Sequence, residues 1–333
     1  MRLPLLSLLP LAAAKTILPP QEPHHIFSNP SEQTAFKIPT SYESAILEIP
    51  PFPNAEVPAE TLKLDLTAAL ETGKVISIPG INFALSQEEL KLLDPRILAK
   101  AKNVSYNPAN GKIGGTSCTG HEAEVLTSLI ARYSKLAGEL MGALFPPYRG
   151  KFQLLRTSLR PAEIAGRKSS WRKDDTRLHV DAFPSQPTNG NRILRVFCNI
   201  NPAGKPRVWR IGEPFEAVAE RFLPQIGRPF PGSARIQQML HITKGLRSEY
   251  DFVMLKMHDA MKADDGYQAS VGQTPVLFTP GTIWVCYADS VSHAALSGQH
   301  QFEQTVRIPL SAMQDPSRSP LKILERLRKR PLA

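Results

Sequence analysis

Two groups of short stretches with alternating apolar residues, separated by a segment with helical spacing, constrain the fold most. The first group lies between residues 151 and 211 and includes KFQLLRTSLRP, RILRVFCNINP and RVWRIGEP. The second group includes TPVLFTPGTIWVCYAD and QFEQTVRIPL, after residue 273. Such runs are typical of strands that bury one face. We therefore predict an α+β fold in which a sheet folds over on itself and the helical insertion, about residues 215 to 263, covers one side.

The remaining pattern divides the chain into three parts. Residues 1–55 are rich in proline and weakly patterned, which indicates an N-terminal arm. Residues 56–316 form the predicted main domain, which begins with helices, including one with a capping box at Ser86 and Glu89. Residues 317–333 form a basic, amphipathic C-terminal tail.

The first residues, MRLPLLSLLPLAAAKT, imitate a secretory signal, although two prolines interrupt the apolar stretch. The sequence leaves open whether this segment is signal-like or an overextended start. The three cysteines, Cys118, Cys198 and Cys286, are far apart and form no Cys-x-x-Cys pair. An odd number of such cysteines favours free thiols in a reducing compartment, so we expect a cytoplasmic protein.

The positive charge is concentrated in one part of the chain. The net charge is +10, and residues 149–210 alone contain 14 Lys or Arg against four acidic residues. A local excess of this kind predicts an anionic partner, such as a phosphorylated sugar, a membrane surface or nucleic acid. No aromatic stacking array accompanies these cations, which counts against single-stranded nucleic acid.

Two histidines and one aspartate stand where strands of the two groups are predicted. His179 and Asp181 are two positions apart in TRLHVDAF, so in a strand they would share a face. His293 follows the apolar strand GTIWVCYAD, and Arg307 lies fourteen positions further on. Two histidines and a carboxylate with open positions are the facial triad of non-haem Fe(II) oxygenases. A buried arginine would suit the carboxylate of a co-substrate.

These stretches also resemble a known group of enzymes. LHVDAF, SVSHAAL and QTVRIPL look like the double-stranded β-helix (jelly-roll) core of Fe(II)/2-oxoglutarate dioxygenases. The run from SLRP through RVWRIGEPFE, with the helical insertion, resembles the Kdo hydroxylase family, from about residue 60 onwards. That family hydroxylates C3 of 3-deoxy-D-manno-oct-2-ulosonic acid (Kdo) in Kdo-lipid A, a precursor of Gram-negative lipopolysaccharide.

The resemblance implies a role for each residue of the predicted site. His179, Asp181 and His293 would bind Fe(II) and be the catalytic residues, and Arg307 would hold 2-oxoglutarate. Pro309 stands where many relatives have a serine that also holds this co-substrate. Dioxygen would be the second co-substrate. Four residues on the neighbouring strands would bind the anionic sugar: Arg160, Arg195, Arg207 and Trp209.

Two alternatives remain open for the substrate residues and for the function. The arginines could instead pair with Asp174, Asp175 or Glu213; if they bind substrate, replacing Arg160 or Arg195 would leave iron binding intact. The protein could also be a 2-oxoglutarate oxygenase with another anionic substrate, such as nucleic acid or protein, or a non-catalytic binder of anionic glycolipid. We expect no nucleic-acid partner.

The C-terminal tail has apolar residues at intervals of three, Leu321, Leu324 and Leu327, with cations between them. A basic amphipathic helix of this kind can lie on an anionic membrane. We therefore expect the tail to place the protein on the cytoplasmic face of the inner membrane. The alternative is that the tail packs against a neighbouring subunit of a homo-oligomer.

Overall fold

The strands form two sheets in the computed structural model, which describes residues 45–52, 61, 63–81 and 83–333. The larger sheet has the strand order β1-β2-β9-β6-β11-β5-β3-β4, and the smaller sheet has the order β10-β7-β8. The strand bounds are β1 Ile46–Glu48, β2 Val75–Ile78, β3 Val104–Asn107, β4 Lys112–Gly114, β5 Gln153–Arg160, β6 Arg192–Asn199, β7 Arg207–Ile211, β8 Thr274–Phe278, β9 Ile283–Tyr287, β10 His293–Ser297 and β11 Gln301–Ile308.

The helices lie before, between and after the two groups of strands. Their bounds are α1 Leu66–Glu71, α2 Gln87–Lys91, α3 Gly120–Leu144, α4 Phe215–Phe222, α5 Ser233–Met239, α6 Glu249–Ala263, α7 Asp265–Ser270 and α8 Pro320–Arg328. The long helix α3 ends at Leu144 because two prolines follow Phe145. The capping box at Ser86 and Glu89, predicted from the sequence, begins α2.

Aromatic side chains join the inner faces of the two sheets. Trp209 of the smaller sheet lies 4.9 Å from Phe197 and 5.5 Å from Trp284 of the larger sheet, measured between ring centroids. The opposite face of the larger sheet packs on α3, where Tyr133 stacks on Phe302 at 4.6 Å. This sandwich of two mostly antiparallel sheets is the predicted jelly-roll core with flanking helices.

Three details of the fold differ from the sequence predictions. The main domain begins before residue 56, because β1 pairs in parallel with β2 and Phe52 is buried in the core; residues 1–44 of the predicted arm lie outside the described residues. Residues 176–183 form no continuous strand, and only His179 makes a β-bridge, to His293. Helix α8 is not a separate tail, because Leu321 and Leu324 pack against the helices of the insertion.

Candidate metal centre

The two histidines and the aspartate of the predicted triad meet at one point. His179 and His293 are bridge partners, and their main chains exchange two hydrogen bonds of 3.0 and 2.9 Å. Asp181 follows two positions later, and its Oδ1 lies 3.7 Å from Nε2 of His179. One ligand atom from each of the three residues lies within 4.8 Å of the others. The geometry therefore gathers the side chains that the sequence predicted as metal ligands.

Backbone carbonyls orient both imidazole rings. Nδ1 of His179 lies 2.8 Å from the carbonyl oxygen of Arg177, and Nδ1 of His293 lies 2.8 Å from that of Val291. A carbonyl oxygen only accepts hydrogen bonds, so each Nδ1 must carry the proton and donate it. Each neutral ring then keeps an unprotonated Nε2, the form that binds a metal.

The electrostatic environment keeps each predicted ligand in its metal-binding form. Burial lowers the pKa of both His179 and His293, so the rings are neutral. Burial opposes ionisation of Asp181, but the adjacent Arg195 guanidinium outweighs it and lowers the pKa of this carboxyl. The Nε of Arg195 donates to Oδ2 of Asp181 at 2.5 Å. Neutral imidazoles and an ionised carboxylate are the donor set that fits Fe(II).

Aromatic rings pack against the two histidines. Trp209 stacks on His293 with centroids 5.0 Å apart and an interplanar angle of 17°. His258 contacts His179 edge to face at 5.4 Å. Trp209 is only 2% exposed, so the structure gives it no accessible ring face for a sugar and places it behind a predicted ligand instead. No hydrogen-bond partner for its indole N–H is found among the described residues.

Arg195 and Arg160 share a buried carboxylate that sequence reasoning missed. Nη2 of Arg160 lies 2.8 Å from Oε2 of Glu303, and Nη1 of Arg195 contacts the other carboxylate oxygen. Arg160 also pairs with Asp175 at 3.4 Å, one of the alternatives that the sequence left open. The period of two along β11 could have revealed Glu303, because it puts this residue on the same face as Arg307.

Arg207 is a buried cation without an ion-pair partner in the described part of the chain. It is 2% exposed, its Nη1 donates to the carbonyl of Gly298 at 2.5 Å, and its Nε has no partner there. Burial lowers its pKa to about 9. A buried guanidinium with spare donors favours an anionic ligand, because an unpaired buried charge is costly.

Arg307 lies on the inner face of β11. In the pairing with β6, Thr305 stands opposite Arg195 and Arg307 stands opposite Ile193, so they share the face of Glu303. Nη1 of Arg307 donates to Oε1 of Gln153 at 3.4 Å, a long contact. No ion pair to Arg307 occurs among the residues that the structure describes. Its fork is therefore available for a carboxylate.

A jelly roll that gathers two histidines and one carboxylate defines the class of non-haem Fe(II)/2-oxoglutarate dioxygenases. The family model of 3-deoxy-D-manno-oct-2-ulosonic acid (Kdo) hydroxylase matches residues 54–331. A comparison with curated proteins gave no match.

Solved structures of the Kdo hydroxylase KdoO, a non-haem Fe(II) α-ketoglutarate-dependent dioxygenase, are similar over nearly their whole length. The complex with cobalt(II) has a TM-score of 0.83 and 43% identity, covering 86% of this chain and 97% of that chain. The complex with α-ketoglutarate and Fe(III) has a TM-score of 0.83 and 42% identity, with the same coverage. This chain therefore belongs to the Kdo hydroxylase family, whose members use Fe(II) and 2-oxoglutarate.

Proposed function

We propose that this chain hydroxylates C3 of Kdo in Kdo-lipid A, using Fe(II), 2-oxoglutarate and dioxygen. The observation that carries the proposal is the triad, in which two neutral imidazoles and one ionised carboxylate lie within 4.8 Å of one another. Bound Fe(II) would supply the chemistry by which dioxygen and 2-oxoglutarate place a hydroxyl group on the sugar. His179, Asp181 and His293 would hold that iron.

The arginines around the triad divide into two roles. Arg307 would bind the far carboxylate of 2-oxoglutarate, because its fork faces the inner side of β11 and has only a long contact to Gln153. Arg160 and Arg207 would bind the anionic sugar. Arg207 is suited to this role because it is buried and has no carboxylate partner in the described ranges.

In this proposal, Arg195 and Trp209 position the residues that would bind the metal. Arg195 holds Asp181, so its replacement should weaken iron binding as well as substrate use, contrary to the expectation from sequence. Loss of a group that hydrogen-bonds to a metal ligand typically lowers metal affinity or activity by about 10- to 100-fold. Trp209 keeps the ring of His293 in place and is too deeply buried for the contact with the sugar that the sequence predicted.

A substrate with a lipid part would place the protein at a membrane. We infer a cytoplasmic enzyme that works on the inner face of the inner membrane. The substrate's sugar carboxylate and lipid phosphates are complementary to the basic window of residues 149–210. No helix in the described residues is long and apolar enough to cross a membrane.

The test is reconstitution without oxygen with Fe(II) and 2-oxoglutarate, followed by oxygen and Kdo2-lipid A. Mass spectrometry should show a gain of one oxygen on the Kdo portion, matched by succinate. Asp181→Ala should abolish both products, whereas Asp94→Ala, which removes a surface carboxylate bonded to Arg96, should not. Succinate without lipid oxidation would reject Kdo2-lipid A as the substrate. The absence of both products from iron-loaded protein would reject the proposed dioxygenase activity.

A further inference from the structure

An exposed apolar surface lies in the insertion between β7 and β8. Residues 228–246, here called the exposed segment, carry six of the nine large apolar side chains that are exposed in the described part of the chain. Their exposed fractions range from 49% to 83%, which is unusual for side chains of this size. The six are Phe230, Ile236, Met239, Leu240, Ile242 and Leu246.

The exposed segment is folded, so its apolar side chains are held in one place. Helix α5 forms its centre, and the chain returns through hydrogen bonds from the amides of Ile242 and Thr243 to the carbonyl of Gln237. Thr243 is buried at 3% exposure, which anchors the return. The exposed apolar side chains therefore belong to an ordered turn and helix.

The charges of the exposed segment identify the kind of partner. It contains Arg228, Arg235 and Lys244 and no acidic residue. These three side chains are exposed, and no salt bridge involves them in the ranges that the structure describes. Apolar side chains among unpaired cations are complementary to an anionic lipid surface, which has phosphates above and acyl chains below. A second copy of the chain would instead bring like charges together.

The exposed segment borders the loop that carries a metal ligand. The amide of Lys244 donates to the carbonyl of Ser185 at 2.8 Å, and the guanidinium of Arg247 contacts the carbonyl of Pro184. These carbonyls follow Asp181 by three and four positions. A surface held by the exposed segment would therefore lie beside the loop that carries Asp181.

We propose that the exposed segment inserts its apolar side chains into an anionic lipid surface and so holds the metal centre at that surface. Binding of this kind needs neither iron nor 2-oxoglutarate, so it goes beyond the proposed reaction and can be tested without it. It also assigns to the insertion the membrane contact that the sequence assigned to the C-terminal tail.

The apolar contribution is tested by co-sedimentation with vesicles of phosphatidylglycerol and phosphatidylethanolamine, with phosphatidylcholine vesicles for comparison. The wild-type protein should bind the anionic vesicles, and replacing Phe230, Met239 and Ile242 together by Ser should reduce the partition coefficient by at least about tenfold. Leu277→Ser removes a side chain that is 64% exposed on β8 and should change nothing. Equal binding by the triple variant and this control would overturn the proposal.

The cationic contribution has its own variant and control. Arg235→Ser with Lys244→Ser should weaken binding to anionic vesicles by about fivefold for each cation removed, and it should reduce the salt dependence. Lys112→Ser with Lys151→Ser removes the same charge from exposed positions elsewhere and should have a smaller effect. Equal losses in both pairs would show non-specific attraction and overturn the assignment.

Two further measurements separate this proposal from others. If the wild-type protein ignores vesicles but light scattering shows a dimer that the triple variant dissociates, the exposed segment is an interface between copies and the lipid proposal is wrong. Turnover of a water-soluble Kdo glycoside should be unchanged in the triple variant. If the wild-type protein binds vesicles but does not turn over the Kdo glycoside, the proposed reaction is wrong and the proposed lipid-binding surface stands.

Discussion

The exposed segment (residues 228–246) and the C-terminal tail (residues 317–333) have similar compositions, but the apolar side chains are exposed in the first and buried in the second. Both combine apolar residues with several cations. In the tail, Leu321 and Leu324 are 6% and 0% exposed and pack with α4 and α6. Arg326 pairs with Glu216, and Arg330 pairs with Glu249. In the exposed segment, the apolar side chains face outward and the cations form no salt bridge among the described residues.

An amphipathic pattern therefore predicts a covered apolar face but does not identify what covers it. The sequence predicted that a membrane or a neighbouring subunit covers the apolar side of the tail. The structure corrects this prediction, because helices of the same chain supply both the apolar surface and the acidic partners. The tail thus stabilises the fold, whereas the exposed segment is available for binding.

Leu324→Ala in the tail should destabilise the fold far more than Leu240→Ala in the exposed segment. Removing a fully buried leucine should lower the free energy of unfolding by about 2–5 kcal/mol. Leu240→Ala, at a position that is 60% exposed, should change it by less than about 0.5 kcal/mol. Urea denaturation followed by circular dichroism measures both. Equal destabilisation would show that the exposed segment is also part of the packed core.

A smaller effect is expected at the beginning of the tail helix. The Ser319 hydroxyl caps α8 by accepting from the amide of Lys322 at 3.2 Å, so Ser319→Ala should cost about 1 kcal/mol in unfolding free energy. Helix α5 has no side-chain cap, because its N-cap is Gly232. The Ser233 hydroxyl donates only to the carbonyl of Phe230, in an exposed bond of 2.6 Å, so Ser233→Ala should cost less than about 0.5 kcal/mol in the same denaturation experiment. A larger loss at Ser233 would contradict the comparison.

The smallest effect is the response of the tail to acid. Hydrogen bonding from Arg330 lowers the pKa of Glu249, so this contact contributes stability above the ordinary value of 4.5 and loses it as pH falls through the folded value. Hydrogen exchange at the Tyr250 amide, which donates to the Leu332 carbonyl at 2.9 Å, should therefore lose protection between about pH 5 and pH 3.

Glu249→Gln is the control for this response, because it removes the titrating group while keeping the shape of the side chain. Protection at Tyr250 should then depend less on pH after correction for the intrinsic exchange rate. The exposed segment contains no acidic residue and should show no such change of its own. An unaltered pH profile in the variant would mean that Glu249 does not hold the tail.

The sequence predicted the parts of the molecule that follow from local pattern. Alternation placed the strands, prolines ended α3, and the spacing of His179, Asp181 and His293 indicated the triad that the fold brings together. What it missed depends on contacts between distant residues. Glu303 contacts Arg195 only because β11 lies beside β6. Trp209 is buried because the larger sheet covers its face of the smaller sheet. No local signal distinguishes a covered indole from an exposed one.

The hydrogen bonds from both histidine rings to backbone carbonyls make the ring orientations tolerant of sequence change during evolution. Each ring is oriented by the carbonyl two positions before it, an atom that every amino acid possesses. Substitution of Arg177 or Val291 thus leaves the acceptor in place, provided that the backbone path is kept. The backbone therefore fixes which ring nitrogen carries the proton in each histidine. The surrounding arginines can change during evolution toward new substrates without disturbing the rings that would hold the metal.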